Sequence, residues 1–154
     1  MAKRKAARAR PAGPGHLLFV YGTLRRDLRA PAWDRLRPLG RFFDYGVIGA
    51  RMFDVGGYPG IIFCDGARVH GEVFALTAPA VALAQLDAYE GVEGGPQPWA
   101  AQYRRETATV ATRRHGSIAT WAYVFIRPHD HYPAIAGGDY VRYCRAPLPA
   151  SPPE

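Results

Sequence analysis

Five consecutive aliphatic or aromatic residues, Leu17-Leu18-Phe19-Val20-Tyr21, run directly into Gly22. A strand with one face in water alternates apolar and polar side chains, so a run with no polar member reads as a strand covered on both faces. Gly22 carries no Cβ, so main chain and ligand can approach closely there. The amides of Gly22, Thr23 and Leu24 can turn into one concavity for an anionic or carbonyl oxygen, with the Thr23 hydroxyl at its rim. The alternative is an ordinary strand-to-loop corner, and the motif needs a partner elsewhere in the chain to mean more.

The segments after it fix the fold class. Residues 25–38, with Trp33 and Leu36 behind Pro31, read as a short helix, and residues 41–55 as one or two strands bent or bulged at Gly46 and Gly49. Gly56-Gly57-Tyr58-Pro59-Gly60 is a turn by composition, followed by a short strand at 61–63. Asp65-Gly66 reads as a hairpin turn joining that strand to residues 67–76. Thr77 is the expected N-cap of a helix that has Pro79 in its first turn, covers residues 80–89 and stops at Gly91. Residues 92–102 and 127–138 are expected loops. Residues 103–112 and 117–126 form a second hairpin, and residues 139–145 a short closing helix capped by Asp139. So many consecutive strands exclude a doubly wound parallel sheet and leave an α+β fold with a mixed sheet that can close on itself.

The net charge of +7 and sequence pI of 9.8 suggest nucleic acid until the charge is located. Five of the positive charges, Lys3, Arg4, Lys5, Arg8 and Arg10, lie in residues 1–15, a tail without apolar periodicity that is expected to be disordered. The body, residues 16–146, is nearly balanced and reads as one domain; residues 147–154 form a Pro-rich tail. A non-specific nucleic-acid role for the basic tail is therefore the weaker reading. No apolar h-region follows the basic start and no apolar run approaches membrane-spanning length, so the cytoplasm is the expected compartment. Cys64 and Cys144 fit neither a C-x-x-C pair nor a zinc knuckle and are expected to be buried thiols. His129-Asp130-His131 has no third ligand at recognisable spacing, so no metal is assigned.

One residue on the clearest helix is out of place. Leu83, Leu86 and Ala82 make its apolar stripe, and Glu90 falls on the same stripe, between Leu83 and Leu86. Apolar neighbours, the negative end of the helix dipole and Asp87 one turn earlier all disfavour its charged form. A carboxylate so placed is a candidate general base; the competing reading is a solvated glutamate at a fraying helix end. Glu93, beyond the helix-ending glycine, is the fallback base. Arg105 can pair with Glu72 or Asp87 or reach an acidic substrate, and His70 reads as structural.

Taken together, Tyr21-Gly22-Thr23-Leu24 after an apolar strand, Val69-His70-Gly71-Glu72-Val73-Phe74, and Leu86-Asp87-Ala88-Tyr89-Glu90-Gly91 resemble the gamma-glutamylcyclotransferase-like superfamily. Tyr103-Arg104-Arg105 and Trp121-Ala122-Tyr123-Val124 are similar to its later strands, and the resemblance spans residues 17–143 in order. It implies a small mixed β-barrel flanked by helices, with the Tyr-Gly-Thr-Leu loop and Glu90 meeting in one cavity. It further implies release of 5-oxoproline from a gamma-glutamyl amine or peptide without metal or cofactor, Glu90 serving as general acid and base. Tyr21, Gly22, Thr23, Leu24, Tyr123 and Arg105 would contact the substrate. The segment between Glu90 and Tyr103 looks longer than in compact members, which leaves open a module of the same fold that binds a small molecule without turning it over.

Overall fold

The structure is a computed structural model that describes residues 14–92 and 101–146. Its strands are β1 (Leu17–Val20), β2 (Gly40–Asp54), β3 (Pro59–Leu76), β4 (Tyr103–Thr112) and β5 (Ser117–Phe125). They close into a barrel in the order β1-β3-β2-β4-β5. All neighbours are antiparallel except β1 and β5, which close the barrel in parallel through Leu18 and Trp121. Three short helices accompany it: α1 (Trp33–Leu36), continued by a 3-10 turn at Arg37–Leu39, α2 (Pro79–Glu90) and α3 (Tyr140–Arg145).

β1 is buried on both faces, as its composition requires. Leu18 and Val20 pack with Leu36 of α1 and Leu83 and Leu86 of α2, while Phe19 and Tyr21 pack with Ile48, Val73 and Val110 in a second cluster. The strand thus separates two apolar layers, and its end at Gly22 emerges between them.

Three expectations are corrected. Asp65-Gly66 does not reverse the chain: β3 runs through it, with Phe63 opposite Ala50 and Arg68 opposite Gly49, so the intervening residues bulge from one continuous strand. A tight Asp-Gly hairpin needs positive φ at both central residues, and only Gly66 (φ 86°) has it. Both flanking runs instead pair with the same long partner, β2. Thr77 does not cap α2; Ala78 holds that position without a side-chain hydrogen bond, and Pro79 opens the helix. Cys144 is exposed and Cys64 only half-buried, because α3 turns Tyr140 and Val141 inward instead.

Two further expectations hold only in part: of residues 25–38 only Trp33–Leu36 is α-helical, and Gly46 pairs in register with Gly71 without a bulge. β2 carries register shifts at Phe42/Asp44 and Gly49/Ala50. Asp139 caps α3, its carboxylate accepting the Arg142 amide at 3.2 Å. Residues 1–13, 93–100 and 147–154, and with them the expected tails and Glu93, lie outside the described residues.

Candidate active site

α2 stops where the sequence says it should. Gly91 takes the left-handed conformation (φ 67°) and its amide closes on the Asp87 carbonyl, leaving Glu90 as the last helical residue. Glu90 lines a cavity of about 460 Å³ whose wall also contains Tyr21, Gly22, Thr23 and Leu24. Tyr123 and Tyr103 complete that wall from the hairpin β4–β5, and Tyr58, Pro59 and Gln102 form part of the rest. The helix end and the strand end therefore face one shared hollow.

The glycine corner is a tight turn, with the Arg25 amide donating to the Gly22 carbonyl at 2.9 Å. Gly22 is required by packing: a Cβ there would lie 2.5 Å from Cγ of Pro59, itself a wall residue. The close approach it allows in the folded chain is thus that of a proline ring.

Among the described residues, Glu90 has neither a hydrogen-bond nor an ion-pair partner. Desolvation, followed by the like charge of Asp87, pushes its carboxyl up to about 7. The residue is only half-buried, since water reaches it through the cavity, but the protein packed around it is enough to penalise the charge. The phenols nearby stay neutral: burial first, with Glu90 contributing a repulsive field, raises Tyr21, Tyr103 and Tyr123 well above the ordinary tyrosine value.

Asp87 is held apart from this role. Arg105 grips it through Nε to Oδ1 at 2.8 Å and Nη2 to Oδ2 at 3.1 Å, and the Tyr123 hydroxyl donates to Oδ1 at 2.8 Å. The Arg105 guanidinium also lies 4.3 Å from the Trp121 ring centroid. Of the alternatives open to it, Arg105 takes the pairing with Asp87 and does not line the cavity. It reaches the site only through the carboxylate that raises Glu90.

Sequence reasoning missed what stands behind the turn. Glu72 is fully buried, and its carboxylate accepts the Arg26 amide at 2.7 Å and the Asp27 amide at 3.4 Å. Desolvation and the neighbouring Asp27 push it up to about 7, against the opposing effect of the Arg26 N–H. Arg25, 5% exposed, binds Asp27 through Nε and Nη2 and Asp139 through Nη1. The chain leaving the glycine turn is thereby tied to β3 and to the cap of α3. The available signal was an acid inside Gly71-Glu72-Val73-Phe74, a run buried throughout. His129 and His131 pack against Phe53 and Tyr132, and the described residues gather no group of three or more metal-ligating side chains. No helix among the described residues is long and apolar enough to cross a membrane.

In this closed mixed barrel a raised carboxylate, unpaired among the described residues, shares one cavity with a strand-end turn. Residues 18–142 match the profile of the family described as "Gamma-glutamyl cyclotransferase, AIG2-like", and the chain belongs to that family. The gamma-glutamylcyclotransferase family protein YtfP of Escherichia coli K12 is 32% identical over 125 residues, covering 80% of this chain and 95% of that protein. Its solution structure aligns with a TM-score of 0.57 at 28% identity, covering 84% of this chain and 99% of that one. The crystal structure of a mouse AIG2-like protein aligns with a TM-score of 0.63 at 20% identity, covering 81% and 87%, a likeness of fold.

Proposed function

We propose that the protein is a gamma-glutamyl cyclotransferase that uses Glu90 as its single acid–base group. The substrate's α-ammonium cannot attack a carbonyl, so ionised Glu90 first takes a proton from it. The freed amine attacks the γ-carbonyl carbon, closing a five-membered ring, and the oxygen that gains charge is met by the turn at Gly22, Thr23 and Leu24. Collapse breaks the bond to the leaving amine, which receives that proton from Glu90; the surplus proton on the ring nitrogen passes the same way, so the amine departs as an ammonium. The products are 5-oxoproline and a free amine; no water is consumed, and Glu90 ends as it began. A carboxyl near 7 suits both halves, since it is basic enough to accept the proton and acidic enough to return it.

The observation that carries this reading is Glu90 itself, pushed up to about 7 and unpaired among the described residues, in the cavity it shares with residues 22–24. The test is 5-oxoproline release by the purified protein from a panel of gamma-glutamyl amides, with Glu90→Gln alongside. Release that falls by a factor of about 10² to 10⁴ in the variant is expected. No release by the parent protein from any panel member, or undiminished release by the variant, refutes it.

A further inference from the structure

Much of the cavity wall has little polar left to offer a ligand. Of its five tyrosines, four spend their hydroxyls on the protein: Tyr21 on the Tyr123 carbonyl, Tyr103 on the Pro59 carbonyl, Tyr58 on Gln102 Oε1 and Tyr123 on Asp87. What these side chains present is ring surface. Ala30, Pro31, Ala32 and Pro59 add further apolar wall.

The charge inventory is as one-sided. Among the described residues, Glu90 is the only Asp, Glu, Lys, Arg or His in the wall. The nearby Arg105 is taken by Asp87, and the Arg35 guanidinium stands 4.4 Å over the Tyr89 ring.

From this wall we infer that the amine half of the substrate is an apolar, carboxylate-free aralkyl amine, and that gamma-glutamyl peptides are poor substrates. The inference rests on the cyclotransferase reading and sharpens it. The turn at residues 22–24 is already engaged by the glutamyl half, whose γ-oxygen it meets. A second carboxylate, on the leaving amine, would be desolvated with no cation among the described residues of the wall to receive it and would share the cavity with negative Glu90. A phenyl ring meets the opposite circumstances, since it gains by burial and by edge or offset contact with tyrosine rings.

Gamma-glutamyl-phenethylamide and gamma-glutamyl-phenylalanine differ by one carboxylate on the leaving amine. In each the α-nitrogen bonds to the γ-carbon, the bond from that carbon to the leaving nitrogen breaks, and two protons pass from the α-ammonium to the leaving nitrogen. The yield is 5-oxoproline with phenethylamine or phenylalanine. The kcat/KM for the phenethylamide is expected to exceed that for the phenylalanine compound at least tenfold. A smaller ratio, a preference for the phenylalanine compound, or turnover confined to other gamma-glutamyl compounds overturns the inference and leaves the cyclotransferase reading standing. Absence of 5-oxoproline from every gamma-glutamyl compound refutes that reading, and the inference with it.

Discussion

Glu90 and Asp87 are two carboxylates one helical turn apart with different neighbours, and the difference divides their work. Asp87 has a bidentate arginine and a phenol, which hold it in place; Glu90 has neither and feels the Asp87 charge. The acid limb of kcat/KM should therefore follow Glu90, activity rising as pH passes about 7, because only the ionised form accepts the proton. Asp87→Asn removes the like charge and should move that limb to lower pH. Arg105→Gln leaves Asp87 without its counter-ion and should move it to higher pH. Rate profiles of the two variants check this, and shifts in the same direction would contradict it.

At the scale of elements, the site depends on how the end of β1 is gripped. Glu72→Ala strands the Arg26 and Asp27 amides, at a cost of about 1–3 kcal/mol for a buried group left unsatisfied. Glu72→Gln keeps a carbonyl oxygen for the Arg26 amide and should retain most of the stability, as denaturant midpoints would reveal. Gly22→Ala drives a methyl toward the Pro59 ring and should cost about 1–3 kcal/mol as well as displacing the turn. The unbroken apolar run of β1 and the misplaced acid on α2 were legible because each violates a periodicity that local sequence defines. The long β3 was not: Asp65-Gly66 is a strong local turn signal, overridden by pairing with β2, a partner that no local window contains. Glu72 escaped for a related reason, since its role depends on amides 45 and 46 residues away in the chain.

Across the whole molecule, activity and stability should respond to pH in opposite directions. Glu72 and Glu90 have folded values near 7, above their ordinary 4.5, so the native state binds more protons than the unfolded chain between those values. Their contribution to stability is full below about 4.5 and is lost as pH rises through about 7. Asp44 behaves inversely. Burial alone would raise it, but His115 and the Arg114 and Tyr45 amides outweigh that and lower it, so its contribution is lost as the medium becomes strongly acidic. The melting temperature should fall between pH 5 and pH 8 while kcat/KM rises, and Glu72→Gln with Glu90→Gln should flatten the fall. A melting temperature that climbs over that interval would contradict the assignment. The barrel and the meeting of β1 with α2 could be anticipated from the order of motifs, whereas the tyrosine-lined wall is assembled from β1, β4, β5 and the chain around α2 and β3, and only the closed structure brings it together.

The most direct test is a carbon-13 titration of the side-chain carboxyl of Glu90, assigned by the signal missing in Glu90→Gln. A midpoint near 7 is predicted. A midpoint in the ordinary glutamate range, about 4.3, would mean that the carboxylate is solvated and that no poised base faces the turn at Gly22.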